Sequence, residues 1–151
     1  MALKERIAEE MKAALLGGDR FVGETLRNLK AAVLNEEVAT GKREEGLSDE
    51  EIEKVVAKEV KKRIESAKLY RDNNRLDLAE PEEREMEILQ RYLPTQLTEE
   101  AITAIVEKKA QELKVSTPAD MGRLIGAVKS ELGNTADGST IARIVKQVLG
   151  T

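Results

Sequence analysis

Apolar residues recur at helical spacing along almost the whole chain, and polar breaks divide them into segments. Leu3, Ile7, Met11 and Leu15 step by four, and Gly17-Gly18 ends that stripe. Asp19 is placed to cap a second helix carrying Val22, Leu26, Leu29 and Val33. Residues 39–46, ATGKREEG, have no periodicity and two glycines, so they read as a mobile loop. Ser48 followed by Glu51 is a capping box. It opens what should be the longest helix, to about Arg71, with Ile52, Val56, Val60, Ile64 and Ala67 facing inward. Asn73-Asn74 ends it, and Pro81 suits the first position of a short helix through Met86, Ile88 and Leu89.

Around Pro94 the pattern breaks most sharply, because proline cannot extend a helix and biases Leu93 away from helical angles. Thr98 then caps a helix with Ile102, Ile105, Val106, Ala110 and Leu113. Ser116-Thr117-Pro118 stops and restarts the chain, and Met121, Leu124, Ile125, Val128 and Leu132 form the next stripe. Ile141, Ile144, Val145, Val148 and Leu149 form the last. No segment alternates as a strand would. The expected fold is all-α: an N-terminal helical domain over residues 1–92 and a three-helix domain over 93–151.

Composition narrows the chemistry. The chain has 151 residues, with 25 basic and 29 acidic side chains and a net charge of -4, so no global positive field gathers nucleic acid. Residues 1–92 hold 18 basic and 22 acidic groups, and the rest hold 7 of each. Cysteine and histidine are both absent, which removes thiol nucleophiles, imidazole bases and their metal sites. Metal and cofactor are expected to be none, and catalytic residues likewise. The start, MALKERIAEEM, is amphipathic and acidic, unlike a signal or transit peptide. No apolar run approaches the ~20 residues of a membrane span. A cytoplasmic protein without membrane contact is the expectation from these features.

Four stretches invite a functional reading. Lys54, Lys58, Lys61 and Lys68, with Arg71 and Arg75 nearby, form either a phosphate-tracking stripe or a solvated, ion-paired face; the second is preferred because Glu51, Glu59 and Asp72 lie at pairing distance along the helix. Glu82, Glu83, Glu85 and Glu87 cannot converge on a metal from one helix, and a negative first turn explains them better. Gly122 and Gly126, one turn apart, each cost a helix about 1 kcal/mol relative to alanine. Close helix packing is the preferred explanation, and a bare patch that admits a ligand backbone is compatible with it.

The fourth stretch is ELGNTADGST. Gly133 ends one helix, and Asp137 or Ser139 caps the next, whose free N–H groups favour an anion. Arg123, Lys129, Arg143 and Lys146 project around it. A phosphate-binding corner is one reading, and a turn with its cap is the preferred one.

Taken in order, TLRNLKAAV (25–33), VKKR (60–63), NRLDLAEPEEREMEIL (74–89), YLPTQLTEE (92–100), MGRLIG (121–126) and ADGSTIARIV (136–145) resemble the YqeY family across nearly the whole chain. That domain also forms the tail of the B subunit of the glutamyl-tRNA(Gln)/aspartyl-tRNA(Asn) amidotransferase. The resemblance implies a helical domain followed by a three-helix domain that contacts tRNA. It also implies a family-level association with carbon–nitrogen ligase activity using glutamine as amido donor. On this reading the chain is a non-catalytic module that binds tRNA or docks on a tRNA-handling enzyme. Its nucleic-acid-binding residues would be Gly122, Arg123, Gly126, Lys129, Gly138, Ser139, Arg143 and Lys146. With Phe21, Tyr70 and Tyr92 as its whole aromatic complement, it would grip the RNA backbone rather than stack bases. The alternative is a protein–protein adaptor that binds no RNA.

Overall fold

The computed structural model describes residues 2–150, and among these every regular element is helical. They divide into two compact units, Met1–Leu93 and Pro94–Thr151.

The first unit contains α1 (Leu3–Leu16), α2 (Arg20–Ala39), α3 (Asp49–Asp72) and α4 (Leu76–Gln90). Between α1 and α2, Gly18 turns the chain at φ +83°, and the Asp19 carboxylate accepts from the Val22 N–H at 3.2 Å. The two helices approach closely at Gly23, where a Cβ would lie 2.3 Å from Leu15 Cδ2. Leu26, Leu29 and Val33 of α2 meet Leu3 and Ile7 of α1 in one core. Ile52, Val56 and Val60 of α3 and Ile88 and Leu89 of α4 complete it. Each fully buried aliphatic side chain contributes about 2 kcal/mol. Tyr92 closes this core: its hydroxyl donates to Glu10 of α1, and the Arg6 guanidinium lies 4.7 Å from its ring centroid. Burial, reinforced by the Glu10 carboxylate, pushes the phenol well above its ordinary pKa.

Two expectations for this unit are corrected. Ile64 does not face inward; it is 47% exposed. Steps of four overrun a 3.6-residue turn, so after Ile52, Val56 and Val60 the inward line shortens its step to Arg63 and then Ala67. Arg63 donates to Glu59 at 2.8 Å and lies 3.5 Å from Glu85 of α4. Nor does Pro81 start a helix. Asn73 and Asn74, the latter at φ +58°, turn the chain, and α4 is already under way at Leu76. Pro81 forfeits one backbone bond, to the Asp77 carbonyl, without ending the helix.

One member of the basic run meets the acidic cluster across this hairpin. Arg71 forks onto Glu83, with one arm at 2.9 Å. Lys68 pairs with Asp72 at 3.3 Å and Arg75 with Asp77 at 3.1 Å. Such exposed pairs each contribute little; Glu51 pairs with Lys42, and Glu59 with Lys62 and Arg63, in place of the expected Lys54, Lys58 and Lys61.

The 39–46 loop is anchored rather than loose. Lys42 Nζ donates to Glu51 at 2.5 Å. That ammonium, with the Ser48 N–H and hydroxyl, holds the Glu51 carboxyl at about 2. Ser48 and Glu51 form the reciprocal capping box, at 3.1 and 3.2 Å. Ser48→Ala should therefore destabilise the protein by about 1 kcal/mol in urea unfolding; a change near zero would show that the cap is redundant.

The second unit contains α5 (Glu99–Leu113), a 3-10 turn (Pro118–Asp120), α6 (Met121–Leu132), a second 3-10 turn (Gly133–Thr135) and α7 (Gly138–Leu149). Thr98 caps α5 through the Ala101 N–H at 3.1 Å. Ile102, Val106, Leu124, Val128, Ile141, Ile144 and Val145 form a wholly aliphatic core.

Candidate nucleic-acid interface

On α6 the stripe Leu124, Val128 and Leu132 is buried, which fixes the rotation of the helix and sends Gly122, Gly126 and Lys129 outward. These three follow one another at steps of four and three, so they lie along one exposed line. A Cβ built at Gly122 or at Gly126 meets nothing within 4 Å. This removes the preferred explanation for the two glycines, because no other described helix of the second unit packs against them. Arg123 flanks the line and is exposed, and it makes no ion pair among the described residues.

Lys129 leads from this line to α7. A Cβ at Gly138 would lie 3.1 Å from Lys129 Cε and 3.2 Å from its Nζ, so the lysine stem lies across the first residue of α7. A larger residue there would displace it. The structure thus gathers Gly122, Gly126, Arg123, Lys129 and Gly138 on or beside one surface.

The other predicted residues have internal engagements. Asp137 caps α7, accepting from the Thr140 N–H at 3.3 Å and from the Ser139 hydroxyl. A carboxylate therefore already occupies the anion-favouring end of that helix. Arg143 pairs with Glu99, at the start of α5. Lys146 is exposed in the last turn of α7.

The glycine-bearing loop before α7 has a task that sequence inspection missed. Gly133 stands at φ +54° and ψ -131°, a conformation in which a side chain is strained. It sends the next residues across the incoming chain: the Leu97 N–H donates to the Thr135 carbonyl at 2.8 Å, and Gln96 Nε2 to the Asn134 carbonyl at 2.9 Å. The Thr135 hydroxyl fastens the loop to the Leu132 carbonyl at 2.6 Å. The stretch grips the segment that leads into α5.

No group of three or more His, Cys, Asp or Glu side chains among the described residues is arranged to hold a metal, and no described helix is long and apolar enough to cross a membrane.

Among curated relatives, three carry the name altered inheritance of mitochondria protein 41, mitochondrial. The one from Clavispora lusitaniae is 29% identical over 136 residues, covering 88% of this chain and 75% of the relative. That from Lachancea thermotolerans is 33% identical over 117 residues, covering 75% and 60%. The Pyrenophora tritici-repentis protein is 24% identical over 151 residues, covering 96% and 80%. Their names overturn the cytoplasmic expectation, since they point to the mitochondrion instead. Most of the stretch on which that expectation rested is the folded helix α1, whose Leu3 and Ile7 belong to the first core, so its amphipathic pattern reports packing and says nothing of address. The family model described as Yqey-like protein matches residues 4–149; with that span covering both units, the chain belongs to the YqeY family.

Proposed function

We propose that the second unit is a non-catalytic RNA-binding module that contacts the sugar–phosphate backbone of tRNA along the outer face of α6. The observation that carries this reading is the open line of Gly122 and Gly126 beside two exposed cations, Arg123 and Lys129. Two helical glycines with no described neighbour from another element of the second unit against them are a standing cost of between about 1 and 2 kcal/mol, and a partner backbone at close range gives them a use. Lys146 extends the surface onto α7, and Arg143 joins it by exchanging Glu99 for a phosphate. The lack of aromatic side chains in the second core and on this face suits backbone contact rather than base readout. Amidation chemistry is assigned to a partner enzyme, because this chain has no cysteine, and no serine in a nucleophile-elbow or Ser-x-x-Lys context, to serve as a glutaminase nucleophile.

The test is tRNA binding as a function of salt. Wild-type protein should bind with an affinity that falls steeply as salt rises, by counterion release. Arg123→Glu combined with Lys129→Glu should weaken binding about tenfold at low salt and flatten the log–log salt slope by roughly two. A wild-type protein that shows no salt-sensitive tRNA binding would end the RNA reading.

A further inference from the structure

The first unit carries a different surface, well separated in character from the glycine line. Where α1 and α2 part near the 39–46 loop, they leave a groove of about 310 Å³. Its floor is Ile7 and Val33, and its outer wall is Leu34, a leucine 40% exposed. Lys30, Leu34 and Val38 follow at four-residue steps along that flank of α2, and Val38 is 59% exposed. An apolar strip of this kind, flanked by a groove, is shaped to receive the ridge of another helix.

Charge decides which helix. The groove is lined by Lys4, Lys30, Arg43 and Glu37. Glu37 is buried and satisfied by Lys4 at 2.8 Å, which cancels one cation. Lys30 and Arg43 are exposed and make no ion pair among the described residues. In a unit where acid exceeds base, this groove is therefore locally positive. Its apolar floor sets it apart from a phosphate track, and none of Phe21, Tyr70 or Tyr92 lines it to stack a base. We propose that the α1–α2 groove docks an acidic amphipathic helix of a partner protein, with a leucine-class side chain entering beside Leu34 and carboxylates pairing with Lys30 and Arg43. The proposal is independent of the RNA reading, which concerns the other unit.

A fluorescein-labelled synthetic helical peptide, with leucines at four-residue steps and glutamates on their flanks, is the probe. Two matched peptides serve as controls, one with lysine in place of glutamate and one with serine in place of leucine. The full-length protein should bind the acidic peptide at least about tenfold more tightly than either control. Leu34→Ser, and Lys30→Glu with Arg43→Glu, should each cost about tenfold. These side chains are exposed, so unchanged circular dichroism and melting would show that the variants remain folded. Amide NMR shifts should cluster on α1, α2 and the 39–46 loop. Equal binding of the acidic and lysine peptides, or indifference of binding to both variants, would overturn the proposal. So would shifts at these residues produced by tRNA and not by the peptide.

Discussion

Replacing Glu37 by alanine should cost the first unit about 3 kcal/mol, a large share of a small domain's stability. The carboxylate is 1% exposed and accepts from Lys4 Nζ at 2.8 and 3.1 Å and from the buried Leu47 N–H at 3.1 Å. It thereby holds α1, the end of α2 and the return of the 39–46 loop in one place. Alanine leaves the Leu47 donor buried without a partner, and that penalty exceeds the modest net value of an ordinary hydrogen bond. The lost bond from Lys4 adds less, because that side chain is half exposed. Glu37→Gln keeps an acceptor for Leu47 and should cost only about 1 kcal/mol. All three aromatic residues lie in the first unit, so tyrosine fluorescence in a urea titration follows its unfolding without interference from the second. An alanine variant within about 0.5 kcal/mol of wild type would refute this account of Glu37.

The same residue carries a pH dependence of definite sign. The Lys4 ammonium, and then the Leu47 N–H, hold the Glu37 carboxyl below its ordinary value against the opposing effect of burial. A carboxyl depressed by folding adds stability above its unfolded pKa and loses it as pH falls through the folded one. The stability gap between wild type and Glu37→Gln should therefore narrow as pH drops below the ordinary carboxylate range.

Glu37 also shows what the sequence disclosed and what it concealed. Val22, Leu26, Leu29 and Val33 declared the buried face of α2, and one more step of four reaches Glu37; only its charge argued for the surface. The 39–46 segment looked loose because loops carry no periodicity, yet its anchors are a carboxylate on α2 and a lysine on Glu51 of α3, neither deducible from spacing. Caps at Asp19, Ser48 and Thr98 were legible because they act within four residues. Pro81 misled because a helix can begin before a proline as well as at it, and the Asn73–Asn74 turn decided the matter. For the candidate surface, the sequence supplied the glycines and cations. Which residues were already engaged required three dimensions, since the Arg143–Glu99 pair joins positions 44 residues apart.

Gly122→Ala together with Gly126→Ala should raise the stability of the second unit by between about 1 and 2 kcal/mol while weakening tRNA binding. Gly126→Ala gains about 1 kcal/mol in the helix interior through reduced backbone entropy of the unfolded chain, and Gly122→Ala, in the first turn of α6, gains less. Beyond its own helical backbone and chain neighbours, neither methyl meets a described atom within 4 Å, so no clash subtracts from the gain. In a unit of this size the gain corresponds to a rise of roughly 10 °C in melting temperature. Hydrogen exchange of the α6 and α7 amides would register it, because this core has no aromatic reporter. Binding should move the opposite way. A methyl at each site holds a phosphate–sugar chain off the helix, and Gly126→Gln, which keeps helix propensity but adds a long side chain, should weaken binding further than Gly126→Ala. Opposed signs are what distinguish a used surface from an idle one: a glycine kept for folding would be stabilising where it stands, and a glycine kept for a partner is improved for folding by any side chain that spoils the contact. If the alanine pair stabilises the unit and leaves tRNA affinity untouched, the glycine line is not where RNA docks. If the pair destabilises the unit, the open geometry of α6 is itself wrong.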